Sequence, residues 1–81
     1  MPDGSQRHKL WKSTFSENVS FSEDVDLEEI SKKYEISGGS ILDVVQYSSL
    51  MALSRDSNVI MKEDIIDGIK AEYRKEGKVT D

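Results

Sequence analysis

The sequence has no cysteine, one proline, one tryptophan and no uninterrupted apolar run longer than the four residues Leu50-Met51-Ala52-Leu53. Without a thiol there is no disulfide scaffold, thiolate zinc site, iron–sulfur cluster or cysteine nucleophile, and the chain suits a reducing cytoplasm. The short apolar runs fall far below the roughly 20 residues that cross a bilayer, which excludes a transmembrane helix and a membrane partner. The first residues, Met1 to His8, are polar and lack the apolar stretch of a secretory signal. Positive charge is also scarce, with eleven basic residues against sixteen acidic ones and a net charge of −5. Such a field repels phosphate backbones, so nucleic acid is disfavoured as a direct partner. Length sets the last exclusion. A chain of 81 residues closes one small core and leaves no room for a deep catalytic cleft beside it.

Apolar spacing predicts an all-α fold of four helices, over about 3–15, 26–35, 37–55 and 61–76, forming one domain over 1–81 with almost no strand signal. In the first helix Leu10, Trp11, Thr14 and Phe15 share a face, and Asp3 with Gln6 has the form of a capping box. Residues Ser16 to Val25 are too polar for a helix core and are expected to form an ordered loop. Asp26 caps the second helix, with Glu29 as box partner and Val25 and Ile30 as a hydrophobic staple; its buried stripe is Leu27, Ile30 and Tyr34. Ser37 caps the third, stapled by Ile36 and Ile41. That helix carries Ile41, Leu42, Val44, Val45, Leu50, Met51, Ala52 and Leu53 over more than half its circumference, and is therefore expected at the centre, touched on several sides. The fourth has the stripe Ile65, Ile66, Ile69 and Tyr73, with Gly77 as its stop. It starts badly, because Met61 cannot cap and Gly68 is a poor helix former. Each costs about 1 kcal/mol, so the fourth helix should be the weakest unless a neighbour packs against Gly68.

The residues that could carry chemistry are few. His8, the single histidine, has no second ligand at metal-binding spacing and reads as a surface residue. The cluster Glu23, Asp24, Asp26, Glu28 and Glu29 lacks the glycine and alternation of a calcium loop, so no metal site is expected. The serines have no partnering base, so no catalytic residue is nominated. Gly38-Gly39 is the informative pair. At the first two positions of a helix, glycines leave the free amides unshielded by any Cβ and let another backbone or a flat ligand come close. A turn that merely redirects the chain from the second helix into the third would use the same residues.

The string Tyr34-Glu35-Ile36-Ser37-Gly38-Gly39-Ser40-Ile41, with Asp26-Leu27 before it and Val44-Val45 after it, resembles the C-terminal helical lid of AAA+ ATPases. In that lid a Leu-Ser-Gly-Gly or Gly-Ala turn precedes a long apolar helix. Pro2-Asp3, Arg7 and Leu10-Trp11 resemble the lid's first helix, written Pro-x-x-x-x-Arg-x-x-Ile-Trp, and Val59-Ile60, Glu63-Asp64 and Ile69 resemble its last. The resemblance spans the chain in order.

It implies a lid that follows a P-loop domain in the same polypeptide and couples ATP binding and hydrolysis there to motion in a ring, a hexamer with neighbouring subunits as partners. The chain has no Gly-x-x-x-x-Gly-Lys-Ser/Thr, so the resemblance implies no hydrolysis by this chain alone and ATP or ADP only in the full-length protein. By position it nominates Gly38 and Gly39 as contacts to the adenine, with Thr14, near the end of the first helix, as a weaker candidate. Two departures stand out. Leu42 occupies the place where many such lids carry a sensor arginine, and Met61 replaces the usual threonine or serine. A rival reading from the residues alone is a free-standing helical adaptor that binds a protein through an exposed apolar groove.

Overall fold

The computed structural model describes residues 3–77, which form α1 (Gly4–Thr14), β1 (Ser20–Phe21), α2 (Leu27–Lys33), α3 (Gly38–Ser54), β2 (Val59–Ile60) and α4 (Lys62–Lys75). Pro2, part of the motif read at the first helix, lies outside the described residues. The helix starts follow their capping chemistry. Asp3 accepts the Gln6 amide at 2.8 Å while Gln6 Oε1 accepts the Asp3 amide at 3.0 Å, a complete box. Asp26 Oδ1 accepts the amides of Glu28 and Glu29 at 3.1 and 3.2 Å. Only this half of the expected box is made there, since Glu29 is exposed and returns no bond to Asp26. Ser37 Oγ accepts the Ser40 amide at 3.2 Å.

The core is one cluster drawn from all four of these helices: Trp11 of α1 and Phe15 at its C-cap, Ile30 of α2, Ile41, Val44, Val45 and Ala52 of α3, Ile65 and Ile69 of α4, with Ile36 and Ile60 from the connections. Trp11 and Ile41 are fully buried, as their place on the predicted stripes requires. Trp11 stacks on Phe15 with ring centroids 6.3 Å apart. α1 pairs mainly with α2 and α3 mainly with α4, and the two pairs meet where α1 crosses α3. Arg7 sews the first pair together. Its Nε donates to the Ser31 carbonyl at 2.8 Å, satisfying one of the last four carbonyls of the short α2.

Residues expected to be only a loop contain a strand. Ser20–Phe21 pairs in parallel with Val59–Ile60, the Ser20 amide donating to Asn58 O at 2.9 Å and the Ser22 amide to Ile60 O at 3.0 Å. Phe21 meets Phe15 edge-on, with centroids 5.0 Å apart, which fixes the connector to α1. A second correction concerns α3. It was expected to be covered on several sides, yet Leu42, Leu50 and Leu53 are 47, 64 and 70% exposed. Its inner half alone faces α1 and α4.

α4 is better anchored than its sequence suggests. Gly68 is buried against α3, and a Cβ built there would stand 2.9 Å from Val44 Cγ1 and 3.3 Å from Tyr47 Cδ2, so this glycine is what lets the two helices approach. At the N-terminus Met61 gives no side-chain cap, but Asp64 Oδ2 reaches back to the Met61 amide at 3.1 Å. The same carboxylate is gripped by Arg55, Nη1 to Oδ1 at 3.0 Å and Nη2 to Oδ2 at 2.7 Å, while Nη2 also donates to Val59 O at 3.3 Å. One guanidinium thus ties the end of α3, β2 and the start of α4. Asp56 turns the chain between them in the left-handed region at φ 57°, with Ser57 N bonded to Ala52 O and Asp56 N to Leu53 O, the paired bonds of a Schellman motif.

Two predictions follow from the α3–α4 contact. Gly68→Ala gains about 1 kcal/mol of helix propensity but forces a methyl onto Val44, whose β-branched side chain has essentially one rotamer in a helix. Overpacking of this kind costs 1–3 kcal/mol, so urea unfolding should show a net loss of roughly 1 kcal/mol, and a gain would mean that the helices do not touch there. The second concerns acid. The hydrogen-bonded Arg55 guanidinium, aided by the Met61 amide, holds the Asp64 carboxyl below its ordinary value of 3.8 against the opposing effect of burial. The folded chain therefore binds the proton less readily than the unfolded one, so Asp64 adds stability above its ordinary value that disappears as pH falls through the lower folded one. Asp64→Asn should melt below the parent at pH 7, and the gap should close on acidification below pH 3.8; a gap constant with pH would remove the ion pair from the account.

Candidate functional site

Ser37 ends an extended segment and begins α3, its hydroxyl taking the Ser40 amide and its carbonyl the Ile41 amide at 3.0 Å. Gly38 and Gly39 are the first two residues of the helix, so their amides are the ones that project from its end. The two glycines differ in their surroundings. A Cβ on Gly38 would stand 3.7 Å from Leu10 Cδ1, an ordinary contact with α1, whereas no atom lies within 4 Å of a Cβ on Gly39. Gly38 thus lies against α1 at Leu10, and Gly39 looks outward from that contact.

Thr14, the weaker candidate from sequence, is half-buried at the last residue of α1, one helical turn beyond Leu10 on the same face. The fold therefore places Gly38 beside Leu10 and Thr14 farther along the same α1 face. Below the turn, Leu42 follows Gly39 by three residues and is exposed on the outer side of α3. At its other end the helix borders a groove of about 260 Å³, lined by Ser16, Val19, Ser49, Leu53 and Asn58 among others.

The chemistry on offer at the turn is backbone amide donors, open space and apolar side chains. Arg55, Asp64 and Lys75, whose titration the fold perturbs, are engaged elsewhere in ion pairs: Arg55 with Asp64, and Lys75 with Asp43 and Glu72. Among the described residues no group of three or more histidine, aspartate or glutamate side chains could hold a metal ion, and no helix is long and apolar enough to cross a membrane.

A second depression, about 600 Å³, lies between α1 and the β1–α2 connection, lined by His8, Lys12, Phe21, Glu23, Val25, Asp26, Leu27 and Glu28. Its acidic residues, Glu23, Asp26 and Glu28, are exposed. Asp26 is spent on its cap and Glu28 pairs with Lys32 at 3.3 Å. What the sequence reading missed is the pairing of Arg55 with Asp64, two residues nine positions apart in separate helical patterns.

The open space at Gly39 makes a direct prediction. Gly39→Ala places a methyl where nothing stands and restricts the unfolded chain, so it should stabilise the protein by about 0.5–1 kcal/mol in urea unfolding. A loss of stability would mean that the turn is enclosed. Compared with known proteins, the chain matches no family model and no curated sequence.

Proposed function

We propose that this chain is the helical lid of an AAA+ ATPase, closing over nucleotide held by a P-loop domain of the same polypeptide and passing its state to neighbouring subunits of a ring. The observation that carries the reading is the Gly38-Gly39 turn, with Gly39 open to approach from outside and Gly38 against Leu10. An adenine ring is flat and apolar on its faces, and it needs a wall without side chains to lie against; unshielded backbone at a helix start provides one. The wall continues along α1 toward Thr14. The order of the helices supports the same reading, since among the described residues there are four, with the glycine turn opening the longest of them.

In this reading the lid's contribution to nucleotide binding is steric and apolar. Leu42 stands where a sensor arginine would reach the γ-phosphate, so the lid places no charge on the phosphates at that position. Selectivity between ATP and ADP then belongs to the P-loop domain. The rival reading, a helical adaptor for a protein partner, draws on a different observation, the exposed leucines of α3.

Two measurements test the lid reading, and the second separates it from the adaptor. The 81-residue chain alone should show no ATP hydrolysis and at most millimolar affinity for ATP by calorimetry, because it offers a single wall and no phosphate cradle; low-micromolar binding would contradict the lid reading. Joined to its P-loop domain, Gly39→Val should weaken ATP binding by excluding the base while leaving the helices folded. Ser37→Ala is the control, losing about 1 kcal/mol of stability with a smaller effect on binding. Unchanged ATP affinity and turnover in Gly39→Val would withdraw the nucleotide role.

A further inference from the structure

The two edges of the small sheet are finished differently. On β2 the outward-facing groups of Val59 are both taken: its N–H donates to Ser57 Oγ at 3.0 Å, and its C=O accepts from Arg55 Nη2 at 3.3 Å. On β1 the amides of Ser20 and Ser22 bond to the β2 side. Backbone groups alternate between the two edges along a strand, so the N–H and C=O of Phe21, between those two serines, point away from β2. Among the described residues neither group is hydrogen-bonded. Natural sheets blunt such an edge with a lysine or a proline. β1 has neither, and both its residues are exposed.

One donor and one acceptor left over on a single strand residue are the complement of another extended backbone. In an antiparallel pair one residue of the added strand exchanges both bonds with Phe21 and satisfies the two groups at once. The side chain of that residue stands on the same face as the Phe21 ring. The ring is 37% exposed and, with Val25 and Leu27, forms the apolar part of the depression of about 600 Å³ beside α1. An apolar residue opposite Phe21 therefore has a seat. Charge narrows the occupant further. The depression sets the carboxylates of Glu23, Asp26 and Glu28 against Lys12 and His8, with Asp24 exposed next to them, in a chain of net charge −5. A basic segment is drawn to this edge, and a second copy of the acidic chain is repelled.

We propose that β1 is a docking edge for an extended, basic segment of a partner polypeptide, which joins the sheet as a third strand antiparallel to β1. Its central residue is apolar and rests on Phe21, and its lysines or arginines lie beside Glu23 and Asp24. The inference goes beyond the lid reading and does not depend on it. Main-chain bonds supply the affinity in this mode of recognition, and only two are on offer, so the Kd is on the order of 0.1 mM.

The probe is the peptide Lys-Lys-Thr-Val-Thr-Lys-Lys, acetylated and amidated at its ends, titrated into the nitrogen-15-labelled 81-residue chain to about 2 mM, well above that Kd. Amide spectra should shift saturably. The Phe21 amide should move downfield and exchange more slowly with solvent, because its N–H gains an acceptor. Methylating the nitrogen of the central valine removes the peptide's donor while keeping every charge, and should raise Kd at least about tenfold. On the protein side, Glu23→Lys should weaken binding at least about threefold by removing a local attraction. Asp67→Lys, the same charge change at an exposed site on α4, should have a smaller effect. Absence of a saturable shift, shifts centred away from Phe21, equal binding of the methylated peptide, or equal effects of the two charge reversals would each overturn the proposal.

Discussion

The fork between Arg55 and Asp64 is the contact on which the second half of the fold turns. α3 ends at Arg55, and from there the chain must reverse through a left-handed Asp56, lay down β2 and start a helix at a residue that cannot cap it. The guanidinium solves these problems from one place. It binds both oxygens of Asp64, touches the Val59 carbonyl, and leaves Asp64 positioned to accept the Met61 amide. Arginine suits this role because its planar donors match a carboxylate in two bonds at once and still have others to spend. With the start of α4 fixed, Gly68 falls against Val44 and the two helices close to the separation that buries Ile65 and Ile69.

Much of this was written locally and so could be read from the sequence. Asp3, Asp26 and Ser37 cap the helices they were expected to cap, Gly77 ends α4 at φ 77°, and Trp11 and Ile41 are buried. Each depends on neighbours within one or two turns. What stayed hidden involves distant partners or too few residues. Ser20–Phe21 pairs with Val59–Ile60 almost forty positions away, and two residues cannot display an alternating pattern. The Arg55–Asp64 pair joins two segments whose polar faces look ordinary when read separately. The outer leucines of α3 misled in the opposite sense: an apolar side chain announces burial, and nothing in its spacing tells whether the covering surface is in the same chain.

Of the candidate site, the glycine turn itself was legible, since Ser37-Gly38-Gly39 states both the cap and the lack of side chains. The neighbourhood was not. That Gly38 meets Leu10 while Gly39 faces open space follows from how α1 crosses α3, a matter of packing between segments nearly thirty residues apart. The Thr14 nomination came from resemblance, and the structure puts it on the same α1 face as Leu10, half-buried.

The arrangement of contacts also bears on how the chain acquires its structure. α1 with α2, and α3 with α4, are pairs of sequence neighbours, so each can form by closing a short loop. The parallel pairing of Ser20 with Val59 closes a loop of nearly forty residues for a ladder two residues long, a poor return on the entropy it consumes. Folding should therefore proceed from two helical hairpins that dock through Trp11 and Ile41, with the strand bridge closing last. In the native protein the order reverses: amides of Ser20 and Ser22 exchange with solvent through small local openings, while those of α3 beneath Val44 and Val45 wait for the whole molecule to unfold.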